Sequence, residues 1–215
     1  MNYVFIGDVH GKVEAVREAL AKPGKKIFVG DIIDSYDKTV SEHRECYRLI
    51  LDAIKAGESE CLFGNHELSY LMPTVHRCSG WDQWRDALMR ELSSELHTYF
   101  KPYILLRPDF LVSHAGLTNQ LWKSFNCSVE TLESKLQTWW DNQRSPAHFI
   151  GQIRGGFRDV GGLFWCDWNH EFQPVSGLTQ VFGHTGGHGI RQVENSFCID
   201  CLDHKPFLFL EMEIK

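Results

Sequence analysis

Five short segments of this chain join a glycine to a side chain able to bind a metal ion. They are Gly7-Asp8-Val9-His10-Gly11, Gly30-Asp31-Ile32-Ile33-Asp34, Gly64-Asn65-His66-Glu67, Ser113-His114-Ala115-Gly116 and Gly183-His184-Thr185. One Gly-Asp or Gly-His alone is ordinarily a turn or a helix cap. Five in order, each after an apolar run, point to a common site. Glycine permits sharp turns and close approach of backbone to an anion. The candidate ligands are Asp8, His10, Asp31, Asn65, His114 and His184. Carboxylate, imidazole and amide oxygen together suit manganese, iron or zinc. Six such ligands exceed the needs of one tetrahedral ion. Two ions about 3.5–4 Å apart, sharing one carboxylate, account for them economically. Such a pair can lower the pKa of a shared water enough to give hydroxide near neutral pH, and that hydroxide can attack phosphorus in line.

The elements needed to position these residues are legible in the apolar pattern. Residues 2–7, 26–29, 60–63 and 110–113 read as strands, and each runs into one of the blocks. Residues 12–21, 39–56, 80–100 and 129–141 have helical spacing. Residues 142–177 are irregular and glycine-rich, and the end reads as strands at 179–182, 191–193, 197–202 and 207–212. Alternating strands and helices followed by a strand-rich end predict an α/β fold with a mixed sheet. In open α/β sheets the functional crevice lies at the carboxyl ends of strands. Asp8 and His10 are two apart at a strand end, so pleating would aim both to one side. His66, next to Asn65, would point elsewhere, as neighbours do in an extended segment.

Length and composition exclude several alternatives. The chain has 215 residues, enough for one domain with its own core, and 1–215 is read as a single domain with a helical insertion at about 73–100. No run approaches the roughly 18 apolar residues of a membrane span. The start lacks the basic and apolar regions of a signal peptide, so a cytoplasmic location is expected. A net charge of −6 argues against a protein that coats nucleic acid. The seven scattered cysteines read as reduced thiols. Cys198-Ile-Asp-Cys201 has CxxC spacing but falls in a strand pattern, whereas a redox motif should open a helix.

Together the five blocks resemble the signature of the calcineurin-like metallophosphoesterases. They are most similar to the phosphoprotein phosphatase branch, which includes lambda-type bacteriophage protein phosphatases and symmetrical diadenosine tetraphosphatases. The resemblance implies a metallophosphatase-type β-sandwich flanked by helices. It implies that Asp8, His10 and Asp31 hold one metal, and that Asp31 bridges to a second completed by Asn65, His114 and His184. It also implies that His66 is the general acid, oriented by Asp34. The metals expected are two divalent ions, manganese first, with iron or zinc as alternatives. The expected activity is hydrolysis of phosphomonoesters, as a serine/threonine-type protein phosphatase. A nucleotide hydrolase acting on dinucleotide polyphosphates or cyclic nucleotides is the alternative, and a non-catalytic metal-binding module the remote one. The expected partner is therefore a phosphorylated substrate.

The chain also departs from that pattern. Most members of the branch have arginine directly after the position of Asp34, and lambda-type enzymes tend to carry another just before the third block. Here these positions are Ser35 and Phe63. Such arginines clamp a dianionic monoester by paired hydrogen bonds. Arg154 and Arg158, in the glycine-rich stretch 151–162, are the candidate replacements, and Asn65 is a further candidate for contact with substrate. Trp81, Trp84, Trp139 and Trp140 are expected to pack in the core, rather than to form an aromatic rim for a base.

Overall fold

The computed structural model describes residues 1–203 and 205–214. The chain divides into two compact units, one formed by Met1–Lys101 with Cys201–Lys215, the other by Pro102–Asp200.

The first unit begins β1 (Asn2–Ile6), α1 (Val13–Ala21), β2 (Lys25–Phe28), α2 (Val40–Lys55) and β3 (Ser59–Leu62). It continues through α3 (Asn65–Leu71), α4 (Gln83–Tyr99) and β4 (Phe100–Lys101). Strands β1 to β4 are parallel neighbours in that order. Val4, Phe5 and Ile6 are all buried in succession, as are Ile27 and Phe28 after them. Continuous rather than alternating burial is the mark of parallel strands covered on both faces. Helix α2 packs against α1 and α4. It is started by a capping box in which Thr39 Oγ1 accepts from the Glu42 amide and Glu42 returns the bond to the Thr39 amide. Helix α4 is capped by Asp82, whose carboxylate accepts from the Trp84 and Arg85 amides. Leu88, Leu92 and Leu96 form its buried stripe.

The second unit holds β5 (Ile104–Arg107), β6 (Phe110–Val112), α5 (Asn119–Ser124) and α6 (Leu132–Asp141). Strands β7 (Thr179–Phe182), β8 (Arg191–Val193) and β9 (Ser196–Cys198) follow. Their sheet order is β5-β6-β7-β9-β8, with β6, β7 and β9 parallel and both outer pairings antiparallel. The long segment before β7 carries two single-turn 3₁₀ segments, Pro146–His148 and Gln152–Arg154. The chain then returns to the first unit, where β10 (Leu210–Glu213) pairs antiparallel with β1. The class is therefore α/β with two mixed sheets and flanking helices, as read from the sequence.

The differences are local. The strand predicted over 197–202 ends at Cys198, and the last strand begins at Leu210 rather than 207. Trp81 lies before α4, and both it and Trp84 are solvent-facing, 54% and 67% exposed, so the expected burial of this pair does not hold. Only Trp139 of the α6 pair is buried. Trp84 continues the i, i+4 series of Leu88, Leu92 and Leu96, but it sits in the first turn of α4, where the helix end leaves it in solvent. Segment 65–71 is helical, not extended, because Glu67 accepts from the Gly64 amide and starts a turn there.

Candidate metal centre

The site in the first unit is built by three loops, after β1, β2 and β3. The β1 loop is fastened to the β2 loop by backbone bonds from Val9 and His10 to the Asp31 carbonyl, at 3.0 and 2.8 Å, and from Gly11 to Ile32. His10, Asp31 and Asp34 all have left-handed backbones, with φ of 45°, 52° and 63°. In the second unit His184 does too, at 71°. Such conformations cost about 1–3 kcal/mol each for non-glycine residues and persist only when the surroundings enforce them. Asp8 and His10 are thus brought together by a strained turn, not by strand pleating as the sequence suggests, because β1 already ends at Ile6.

Glu67 provides much of that enforcement. It is fully buried, and its carboxylate accepts five hydrogen bonds: from the amides of Asp31, Ile32, Ile33 and Gly64, and from the Tyr47 hydroxyl. It therefore caps α3 and also shapes the backbone of the loop that carries Asp31. Gly64 lets the two loops meet, since a Cβ there would lie 2.0 Å from Asp31 Oδ1.

Asp8, His10 and Asp31 each offer one ligand atom, and the three atoms lie within 4.8 Å of one another. Both aspartates are buried. His10 Nδ1 donates to the Ile33 carbonyl at 2.8 Å. A carbonyl can only accept, so the proton of the neutral ring sits on Nδ1 and Nε2 presents its lone pair. Burial lowers the His10 pKa and favours that neutral, ligating form. This donor set fits a divalent ion. Asn65 opens α3, with its Nδ2 donating to Cys78 Sγ at 3.0 Å.

His66 follows Asn65 and bonds differently. Its amide donates to Asp31 Oδ1 at 2.9 Å, and its Nδ1 donates to Asp34 Oδ2 at 2.8 Å. Burial opposes the charged ring, but the Asp31 charge, the Asp34 hydrogen bond and Glu67 outweigh it and push the pKa up to about 9. Two residues not singled out in the sequence fix Asp34. Tyr70 Oη donates to its Oδ1 at 2.6 Å, and Arg85 Nε lies 3.8 Å from the same oxygen. The other Arg85 nitrogens donate to the carbonyls of Ser35, Lys38 and Gly80 and to Asp82. Arg85 thus clasps the loop after Asp34 to the start of α4. His10, Asp34 and His66 line one cavity of about 500 Å³ in this unit, with Lys12, Ser35 and Tyr36 also in its wall.

In the second unit the buried rings of His114 and His184 meet edge to face, with centroids 5.1 Å apart. The Gly183 amide donates to the His114 carbonyl and sets the two loops side by side. Arg154 Nη2 binds Thr185 Oγ1 and Asp167 Oδ2, both at 2.9 Å. Arg158 is exposed and stacks over Phe149 at 4.3 Å.

The model of the calcineurin-like phosphoesterase family matches residues 1–187. The chain belongs to that family. It is accordingly a metal-dependent phosphoester hydrolase, and its Asp–His–Asp group is a metal-site candidate. No curated protein matches the chain in sequence. Among solved structures, this phosphoesterase is similar to a cold-active protein-tyrosine phosphatase of the psychrophile Shewanella sp., at 18% identity and a TM-score of 0.61. That match covers 93% of this chain and 70% of the other. It is also similar to a protein serine/threonine phosphatase from Saccharomyces cerevisiae, at 19% identity and a TM-score of 0.52, covering 93% and 66% of the two chains. At these identities the likeness establishes the metallophosphatase fold. Among the described residues of the phosphoesterase, no helix is long and apolar enough to cross a membrane.

Proposed function

We propose that this phosphoesterase is a two-metal phosphomonoesterase acting on phosphoproteins. The observation that carries the reading is the His66–Asp34 pair, which shares a cavity wall with His10. In this reading Asp8, His10 and Asp31 hold one ion, and Asp31, Asn65, His114 and His184 hold the other. The chemistry such a pair supplies is Lewis acidity, which activates water as a nucleophile near neutral pH and neutralises phosphate oxygens. Manganese, iron and zinc all suit the donors, with manganese preferred. The seven free thiols support a reducing, cytoplasmic setting.

His66 supplies the proton. The Asp34 carboxylate occupies Nδ1 and favours the charged ring, so the Nε2 proton is the one available to the cavity. As the bond from phosphorus to the leaving oxygen breaks, that proton passes to the oxygen and His66 becomes neutral until solvent recharges it. Tyr70 and Arg85 hold Asp34 in place behind it. Asn65, at the head of α3, can also contact a phosphate oxygen. The partners already bound to Arg154 support a role in positioning the His184-Thr185 loop, and Arg158 remains available only as an exposed, movable cation.

The likeness to two protein phosphatase folds favours a phosphoprotein over a nucleotide. Turnover of phosphoseryl and phosphotyrosyl peptides should therefore exceed that of diadenosine tetraphosphate and cyclic nucleotides, all compared with manganese. The reverse order would assign the site to nucleotides.

A further inference from the structure

The cavity that contains His66 and His10 has an uneven charge lining. Asp34, Asp37 and Asp203 contribute carboxylates, whereas Lys12 is the single lysine or arginine in its wall among the described residues. Arg85 stands close by but is not in the wall, its Nη1 and Nη2 bound to backbone carbonyls and to Asp82 and its Nε 3.8 Å from Asp34 Oδ1. Ser35, in the same wall, is neutral and donates to Asp37 at 2.5 Å. A phosphate entering this cavity therefore meets, besides the His66 ring, one lysine or arginine cation of the protein's own.

The position of Lys12 is set by the turn that presents His10. Its amide donates to the Val9 carbonyl at 3.0 Å, directly after Gly11, whose φ is 74°. Gly11 has to be glycine, because a Cβ there would lie 2.9 Å from His43 Nε2 in a left-handed conformation. The ammonium lies 3.4 Å from the Val9 carbonyl and 2.9 Å from Asp203 Oδ1. The Lys12 side chain is only 16% exposed, whereas that of Asp203 is 65% exposed. An ion pair whose acid stands in solvent is weakly held. A phosphate dianion is a stronger acceptor for the same ammonium.

We infer that Lys12 grips the substrate's phosphate in this chain: its ammonium releases Asp203 and donates to a non-bridging oxygen of a dianionic phosphomonoester. Lysine acts there as a point charge on a flexible stem, not as a planar fork. It therefore favours the dianion of a monoester over the single charge of a diester without demanding one orientation. This inference rests on the phosphoesterase reading above and names the residue that selects its substrate.

The test uses the manganese-loaded full chain, with p-nitrophenyl phosphate as monoester and bis-p-nitrophenyl phosphate as diester. Inorganic phosphate binding is measured by calorimetry, and metal content by elemental analysis. Lys12→Met should lower kcat/KM for the monoester about tenfold or more, the scale of one charge-assisted hydrogen bond, and leave the diester within about threefold. Phosphate affinity should fall in parallel while metal content stays that of the wild type. Lys12→Arg should keep most of the affinity. Asp203→Asn should bind phosphate more tightly than the wild type, because the ammonium no longer has a competing carboxylate. Equal losses on both esters, loss of metal in Lys12→Met, or unchanged phosphate affinity in either Lys12→Met or Asp203→Asn would overturn the inference. A wild type that binds metal and phosphate yet hydrolyses neither ester would instead overturn the phosphoesterase reading, and calorimetry would still report on Lys12.

Discussion

His66 and His43 lie in the same unit, both largely withdrawn from water, and they end in opposite charge states. His66 Nδ1 faces the Asp34 carboxylate at 2.8 Å, whereas His43 Nδ1 faces the Thr39 carbonyl at the same distance. Burial disfavours the cation in both. For His43 the nearby Arg85 charge adds to burial, and the pKa falls to about 4. For His66 the surrounding carboxylates reverse the effect of burial and the pKa rises to about 9. One imidazole is thus a neutral packing group beneath the Gly11 turn, and the other is a charged acid in a cavity wall. The identity of the group facing Nδ1 separates a structural histidine from a chemical one.

The contrast breaks most visibly at His66. His66→Asn should retain its metals and lose about 10²–10⁴-fold in turnover, the usual worth of general acid catalysis. The loss should be larger for alkyl than for aryl phosphates, because aryl leaving groups need less protonation. Equal losses on the two, or loss of metal, would make His66 a structural residue like His43.

Next in size is the response to acid. The folded pKa of His43 lies below the roughly 6.5 of an unfolded histidine, so the unfolded chain binds the proton first as pH falls. The stability that comes from keeping this ring neutral is complete above about pH 6.5 and is lost as pH drops toward 4. Between pH 7.5 and 4.5 this amounts to about 2–3 kcal/mol. Urea unfolding of the wild type and His43→Gln at both pH values reads it directly. The glutamine variant should lose less on acidification. His66 runs the other way in the metal-free protein: its contribution is complete below about pH 6.5 and fades as pH rises through 9, so His66→Asn should flatten the alkaline side.

A smaller effect sharpens the reason for the difference. Asp34→Asn removes the charge that faces His66 Nδ1. Turnover should fall about tenfold, the scale of one charge-assisted hydrogen bond, and the alkaline limb of kcat/KM should move to lower pH. Adding Asp34→Asn to His66→Asn should cost little more than His66→Asn alone. Full additivity would show that Asp34 acts on something other than His66.

Much of this site could be read before folding, for a physical reason. The loops after β1, β2 and β3 in the first unit, and those after β6 and β7 in the second, each place polar residues directly behind apolar runs, and that change of character is visible in sequence. What could not be read is what holds the loops. Glu67 is recognisable as a helix-start carboxylate, but its bonds to the amides of 31–33 exist only once β2 and β3 are neighbours. Arg85 is separated by some fifty positions from the Ser35 carbonyl it binds. The seven residues of α3 are too few for helical periodicity to outweigh the extended pattern before them. Lys12 gave no signal because a lysine after a turn is ordinarily a solvated surface group. Its burial against the His10 turn is a tertiary fact.

The central claim is that two ions, sharing Asp31, run the hydrolysis. It is tested most directly by stripping the wild type and Asp31→Asn of metal, titrating manganese back, and following bound metal and p-nitrophenyl phosphate turnover together. The wild type should gain turnover as it fills to two ions per chain. Asp31→Asn should bind fewer and remain inactive, since a neutral amide bridges two cations poorly. Two bound ions and wild-type turnover in Asp31→Asn would contradict the claim.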